Sequence, residues 1–463
     1  MKISKNIFRK YDIRGRENAE ELNKDSLELL GKAFGVYLID KGIKKTIVGA
    51  DSRKTSKEFK EAAIKGLLSS GVDVIDVGMI LTPMMHWAQH HFKVKGGLMV
   101  TASHNPKGWN GLKLSADYSK TLNQDELLSI YEMVKTNNFD SELSLGERSK
   151  EDIKDAYIKD LSDRVNIEKK FKLVVNTGNG TAGPFAGDLF RNLGCEVIEH
   201  NFEIDPDYPN YTPNPAEMDM MMDTADVVKK NNADLGIALD ADGDRLGVIS
   251  EKGDIVWPDI YAIFLSRLVL EESPGATLLF DVKSSKALEE EIRAHGGNPI
   301  MVPTGHTIVK QKMQENNAAM GSELSGHIFI KHRFYGHDDA LFAAALLLEY
   351  LSKSEKMMSE LVGTVPKYVS SPGYNAHCPD DKKFDVIEDL IAEFKDEGYE
   401  VIDIDGARVE FENGWGIARA SNTTPNITLR FEANTKKRLE EIQDIFKEKL
   451  SKYSFVSEEW IAG

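Results

Sequence analysis

Three aspartates crowd the segment Asp240-Ala241-Asp242-Gly243-Asp244-Arg245, set between the apolar runs 235–239 and 246–249. Aspartates two apart in an extended chain fall on one side, about 7 Å from each other and closer in a loop, so three unpaired charges repel. A solvated loop relieves that repulsion, and so does a bound cation. An EF-hand is a further reading, because Glu251 falls at the twelfth position from Asp240. Arg245, however, stands where that loop demands glycine, and strands rather than helices flank the segment. Three monodentate carboxylates plus one outside oxygen suit Mg²⁺, a hard ion with ligands at about 2.1 Å that commonly takes an oxygen from a phosphate.

Ser103 is a candidate carrier of such a phosphate. It lies in Val100-Thr101-Ala102-Ser103-His104-Asn105-Pro106-Lys107-Gly108, at the end of the apolar run 96–101, where Pro106 and Gly108 break the strand sharply. A serine on a turn more often caps the backbone, and the nucleophile reading needs partners from elsewhere. His104 is a poor base for it, because adjacent side chains usually point apart, and no GxSxG elbow occurs.

Other polar groups stand at the ends of apolar runs. Asp281, Val282 and Lys283 follow 278–280, Thr304, Gly305 and His306 follow 299–302, and Gly321-Ser322-Glu323-Leu324-Ser325-Gly326-His327 comes next. Glu323, Ser325 and His327 alternate and so can face one ligand; a carboxylate accepts hydrogen bonds from two adjacent sugar hydroxyls. An ordinary polar turn reads the same way. Near the end, Arg419-Ala420-Ser421-Asn422-Thr423-Thr424-Pro425 offers a guanidinium fork, hydroxyls and amides that match phosphate oxygens. The opening Phe8 to Arg16 carries Arg9, Arg14 and Arg16 beside Tyr11 and Asp12, a density that more usually marks a solvated tail. Gly178-Asn179-Gly180-Thr181-Ala182-Gly183 is a literal GxGxxG after a strand, with a helix, a second strand and Glu199 beyond. That order supports a rival reading as an NAD-dependent oxidoreductase. Asn176 and Thr177, though, intrude where the strand should run straight into the first glycine, and glycines close any tight turn between strand and helix.

The elements that would position these groups alternate. Leu27, Leu30, Phe34 and Leu38 mark one helix face, followed by strand 46–50, helix 58–68 and strand 72–77, an α/β pattern in which ligands gather at the carboxyl ends of strands. With 463 residues and 41% hydrophobic content, a prior of about 150 residues per domain predicts three or four domains with ample cores. We place units at 1–150, 151–251, 252–364 and 365–463. A net charge of -17 argues against a nucleic-acid partner and requires any phosphate site to be locally basic. Two cysteines, Cys195 and Cys378, and the absence of an apolar signal core predict a cytoplasmic protein. The longest apolar run, 340–348, is far short of the roughly 20 residues a membrane helix needs.

With these loops assembled, the chain resembles the α-D-phosphohexomutase superfamily and, within it, the bacterial and archaeal phosphomannomutase/phosphoglucomutase group. TASHNP is similar to that family's phosphoserine loop, DADGDR to its metal loop, GSELSGH to its sugar loop and RASNTTP to its phosphate loop, in the family's order over nearly the whole chain. The resemblance implies four domains around a central cleft, three related mixed α/β domains and a smaller C-terminal α+β domain. It implies exchange of phosphate between C1 and C6 of mannose or glucose through phosphorylated Ser103 and a 1,6-bisphosphate, which also serves as activator. Carried over, Asp240, Asp242 and Asp244 bind Mg²⁺ together with the group on Ser103. Glu323 and Ser325 hold sugar hydroxyls, and Arg419, Ser421, Asn422 and Thr423 hold the phosphate that is not reacting. Tyr11, Arg14, Lys113, Arg245, Lys283, Thr304, Gly305, His306 and His327 correspond to cleft residues. Lys113, His306 and His327 are all candidates for the proton transfer. Phosphoglucosamine mutase and a non-catalytic sugar-phosphate binder are alternative readings. No protein partner is inferred.

Overall fold

Apolar strands that end in polar turns build four separate sheets in a computed structural model that describes residues 3–136, 139, 144–421 and 424–462. In the first sheet, strands Lys45–Ala50 and Gly96–Val100 run parallel with Ala50 beside Val100, while Gly96–Val100 pairs antiparallel with Trp109–Ser115. The polar loops after Ala50 and Val100 therefore emerge side by side, and Lys113 returns beneath them. Helix Lys24–Asp40 starts at a capping box on Asn23 and buries Leu27, Leu30, Phe34 and Leu38, the face read from the sequence.

The second sheet sets strand Leu235–Leu239 antiparallel to Leu246–Ser250, so Asp240 to Arg245 is the loop of a hairpin inside a mixed sheet. The third sheet puts Thr277–Asp281 parallel to both Asn298–Val302 and Met320–Ser322, which sends the three polar groups of that unit off the same sheet end. The pairings that involve Gly414–Ala420 and Asn426–Ala433 in the fourth sheet are antiparallel, with helices Lys383–Asp396 and Lys436–Leu450 packed on it. One apolar cluster links residues of the first three units, from Leu81 and Trp87 through Phe185 to Phe264 and Phe342. The fourth unit has its own cluster around Phe394, Phe431 and Phe446. The run 340–348 forms most of helix Ala340–Lys353, which is buried on nearly every side, and among the described residues no helix is long and apolar enough to cross a membrane.

Candidate active site

The hairpin loop works because Gly243 takes φ +72° and a Cβ there would press on the Leu81 side chain at 2.9 Å. The tight turn folds Asp240 back so that its Oδ1 accepts the backbone N–H groups of Asp244 (3.0 Å) and Arg245 (3.1 Å). Asp242 Oδ2 accepts from Thr82 Oγ1 (2.6 Å) and Thr101 Oγ1 (3.1 Å), both in the first unit. The three aspartates are at most 1% exposed, and one oxygen of each lies within 4.8 Å of the others.

Lys113 lies among them, with Nζ 2.8 Å from Asp242 Oδ2 and 2.5 Å from Asp244 Oδ2. Burial lowers its pKa, but the two carboxylates outweigh burial and raise it, so the ammonium stays charged. Burial, with Asp244 and Asp242 beside it, lifts the Asp240 carboxyl well above the usual range, against the pull of Arg245 and Lys113. Burial and Asp244 also push Asp242 up, yet Lys113 and the hydrogen bonds hold it below its ordinary value. Asp242 Oδ1 is buried without a hydrogen-bond partner, and Asp244 Oδ1 faces only His327 Nε2, at 3.2 Å. Buried carboxylate oxygens left over after Lys113 is satisfied are what a hard divalent cation takes, so the triad can hold a metal ion.

Ser103 faces this triad. It sits at φ +48°, is 1% exposed, and its Oγ donates to Asp240 Oδ2 at 3.0 Å. The same Oγ is 3.1 Å from His104 Nδ1, so the expectation that these neighbours point apart is wrong: the left-handed backbone at Ser103 turns both side chains inward. Burial, then Arg245 and Arg14, keep His104 well below its ordinary pKa and therefore neutral. Arg14 reaches Asn105 Oδ1 at 2.5 Å, which places the opening arginine segment at this loop rather than in a solvated tail.

The third unit contributes Glu323 and His327. His327 Nδ1 is 3.0 Å from Glu323 Oε2 and Nε2 is 3.2 Å from Asp244 Oδ1. Burial lowers its pKa, and Arg245 adds to that, but Asp244 and the hydrogen bond to Glu323 together outweigh them and the net shift is upward. Ser325 Oγ is 3.1 Å from His327 Nδ1, and Arg245 Nε is 3.4 Å from His327 Nε2, so the alternating residues do converge. Both Glu323 oxygens already have partners in the chain, since Oε1 accepts from Gly305 N–H at 2.5 Å; each keeps a lone pair for a hydroxyl. His306 stacks edge-on to Tyr11 at 5.8 Å, and burial holds its pKa well below the ordinary value, with Lys310 and Lys113 adding to it.

A second pole is built around Thr304. Its C=O accepts from Tyr11 OH at 2.9 Å, its Oγ1 reaches Asp281 Oδ2 at 3.2 Å, and its N–H donates to Asp405 Oδ2 at 3.0 Å. Lys283 pairs with the same Asp281 at 3.5 Å. Asp405 also holds Arg419, at 3.2 Å to Nε and 3.1 Å to Nη2. Ser421 Oγ accepts from Thr424 N–H at 3.2 Å; Asn422 and Thr423 lie outside the described residues.

Four family models match in this order: Phosphoglucomutase/phosphomannomutase alpha/beta/alpha domain I over 5–141, domain II over 155–253, domain III over 257–368 and the C-terminal domain over 374–449. A phosphomannomutase/phosphoglucomutase of Pseudomonas syringae is 40% identical over 446 residues, covering 96% of this chain and 95% of that one. A phosphoglucomutase of Neisseria gonorrhoeae is 38% identical, covering 96% of each. The crystal structure of a Burkholderia thailandensis phosphoglucomutase/phosphomannomutase family protein superposes with a TM-score of 0.91 at 37% identity, over 97% of this chain and 98% of that one. The chain belongs to the phosphoglucomutase/phosphomannomutase family.

Family membership leaves the glycine turn at Gly178 to explain. A Cβ on Gly180 would lie 2.8 Å from Ala241 Cα, and Thr181 N–H donates to the Ala241 C=O at 2.9 Å. The bare backbone admits the aspartate loop, not a pyrophosphate, and Glu199 pairs with Arg191. The sequence does not mark Thr82, Asp405 or Asn214, whose Oδ1 lies 3.5 Å from Arg245 Nη1. Thr82 and Asp405 each follow a strand within a few residues, a position that can be searched for, but their residue types are too common to stand out.

Proposed function

We propose that this phosphoglucomutase/phosphomannomutase family member is a phosphohexomutase that interconverts hexose 1-phosphate and hexose 6-phosphate, with Ser103 as the phosphate carrier. The observation that carries the reading is Ser103 Oγ hydrogen-bonded at 3.0 Å to Asp240 of a buried aspartate triad that Lys113 only partly neutralises. The geometry agrees with what phosphoryl transfer asks for, namely positioning and charge neutralisation.

In our assignment Asp240, Asp242 and Asp244 hold Mg²⁺. Bound there, the ion supplies charge neutralisation for the oxygens of the phosphoryl group on Ser103. The chain's residues do the rest. Phosphorylated Ser103 meets the free hydroxyl of a bound sugar monophosphate; the bond between phosphorus and Oγ breaks as the bond to the sugar oxygen forms, and the hydroxyl proton passes to His327 or His306, because Lys113, held as an ammonium by Asp242 and Asp244, has no lone pair to receive it. Arg245, Lys113 and Arg14 face the spreading negative charge. Return of the other phosphate from the 1,6-bisphosphate to Ser103 completes the exchange, so added bisphosphate acts as activator. Glu323 and Ser325 hold sugar hydroxyls. Tyr11, Lys283, Thr304, Gly305 and His306 shape the wall between them and the pole where Arg419, Ser421, Asn422 and Thr423 hold the phosphate that is not reacting. We keep four units, drawn at 1–150, 151–251, 252–364 and 365–463; the four separate sheets support their number, but strand Ile255–Val256 pairs with Leu246–Ser250 in the second sheet, so the second boundary belongs a few residues later than 251. A cytoplasmic location belongs to the same reading.

Intact mass and peptide mapping test the carrier: phosphate is expected on Ser103 after incubation with glucose 1,6-bisphosphate, and none on Ser103→Ala. A chain that gains none while binding NADH would sink the reading. For substrate choice we expect comparable use of glucose 1-phosphate and mannose 1-phosphate, because the Glu323 loop reads hydroxyls away from C2. A coupled assay that also includes glucosamine 1-phosphate decides; glucosamine ahead of both would overturn the subgroup.

A further inference from the structure

The loop that carries Ser103 is drawn around one buried side chain from the turn that follows a neighbouring strand. Arg53, in the turn after strand Lys45–Ala50, sends Nη1 to the C=O groups of Pro106 (3.1 Å) and Trp109 (3.2 Å), and Nη2 to those of Ser103 (2.5 Å) and Asn105 (2.6 Å). Its Nε lies 3.3 Å from Asp51 Oδ2, and the Tyr208 ring, from the second unit, lies 5.4 Å from the guanidinium. The residue is 5% exposed.

Four carbonyl oxygens converging on one point repel one another, and a cation with several divergent N–H groups can gather them. A guanidinium offers five in a fixed plane; an ammonium offers three from a single atom. The four carbonyls belong to residues on both sides of the turn, so their common partner sets the path of 103–109. That path holds Ser103 in the left-handed region, at φ +48°, with Oγ on Asp240. A serine keeps such a backbone only where its surroundings impose it.

We propose that Arg53 is a positioning residue for phosphoryl transfer: it touches neither sugar nor phosphate, and it fixes the Ser103 loop through its carbonyls. The proposal rests on Ser103 being the phosphate carrier. It separates two quantities that a general loss of stability would not separate. Sugar binding, assigned to Glu323 and Arg419, stays intact, while the rate of transfer to and from Ser103 falls.

A cavity of about 290 Å³, lined by Arg53, Lys54, Lys107, Pro206 and Asp207, adjoins the guanidinium and gives a small cation a way in. In Arg53→Ala, kcat is expected to fall about 100-fold, the scale of an ångström-level misplacement, with KM for glucose 1-phosphate little changed. Free guanidinium at tens of millimolar, far below its denaturing range, should restore about tenfold, the lower end of what charge-assisted hydrogen bonds contribute; sodium chloride at equal strength should not. Arg53→Lys should fall between wild type and Arg53→Ala, and it carries the test alone if Arg53→Ala does not fold. Hydrogen exchange in a peptide spanning 101–110 should quicken in the variants and slow again with guanidinium, a readout independent of turnover. It therefore tests the clamp even if the carrier assignment fails. Wild-type kcat in Arg53→Lys or Arg53→Ala, equal losses in kcat/KM from KM alone, or unchanged exchange at 101–110 would overturn the proposal.

Discussion

The two poles of the site are held in different ways. At the reacting pole, Asp240 and Asp242 are fixed by backbone N–H groups and threonine hydroxyls from two units that share one apolar cluster. At the holding pole, Arg419 hydrogen-bonds one carboxylate, Asp405, which also bonds Thr304 across the junction of the third and fourth units. The fourth unit keeps a separate core, and its contacts with the third include Arg408 to the C=O groups of Val282 and Ser284. The difference suits the chemistry. Charge transfer needs atoms that do not reorganise, whereas a sugar that presents first one end and then the other needs a grip that accepts both.

Removing the carrier breaks the comparison most completely. Ser103→Ala is expected to lower kcat at least about a thousandfold, since loss of a covalent carrier is rarely compensated, and to leave binding of glucose 6-phosphate measurable by calorimetry. Turnover near wild type would mean that the reacting pole lies elsewhere.

Next in size is Asp242→Asn. It removes one anion from the triad and one partner of Lys113, so the Mg²⁺ concentration for half-maximal activity should rise by at least about tenfold, because even residues behind a ligand change metal affinity by that much. Titration of activity against Mg²⁺ checks it. Full activity in excess EDTA, for variant and wild type alike, would remove the metal from the reacting pole.

The two poles also differ in how far the sequence exposes them. Asp240 to Arg245 stands out because three like charges between apolar runs need a physical excuse, and the strand order on either side delivers that loop to a sheet end. Ser103 is legible for the same reason: Pro106 and Gly108 stop an apolar strand next to it. The partners that tune these groups are not legible. Thr82 meets Asp242 across a separation of 160 positions, and Thr304 meets Asp405 across 101, through residue types found on any surface. The proximity of Ser103 Oγ and His104 depends on one left-handed φ that residue types do not reveal. The glycine turn at Gly178 misleads in the opposite sense, because the space that glycines leave is filled by the chain itself.

Arg419→Ala should weaken the holding pole for both substrates. The phosphate there is attached to C6 in one half-reaction and to C1 in the other, so kcat/KM should fall in both directions by the roughly 1.5 to 3 kcal/mol of a charge-assisted hydrogen bond. A bisphosphate held poorly escapes before it turns, so added glucose 1,6-bisphosphate should recover part of the rate. Unchanged kinetics in both directions would take this loop out of the site.

Asp405→Asn is expected to be the mildest, and it asks whether Asp405 acts through Arg419 or through Thr304. The side chains of Asp405 and Arg419 are 14% and 10% exposed, so the pair is partly screened, and an asparagine oxygen can still accept from one of its two partners. The single change should therefore cost about 1 kcal/mol or less in kcat/KM. The double variant is more informative. In Arg419→Ala the Asp405 carboxylate loses its guanidinium and is left beside an incoming phosphate, which it repels. If Asp405 acts through Arg419, adding Asp405→Asn to Arg419→Ala removes that repulsion and costs nothing further, so the double variant should match or slightly exceed Arg419→Ala. If Asp405 acts instead by tying the fourth unit to Thr304, the two losses should add to within about 0.5 kcal/mol. Steady-state kinetics of the four chains in both directions separate the cases, and additive losses would show that the holding pole is fixed at the junction of the units rather than at the arginine.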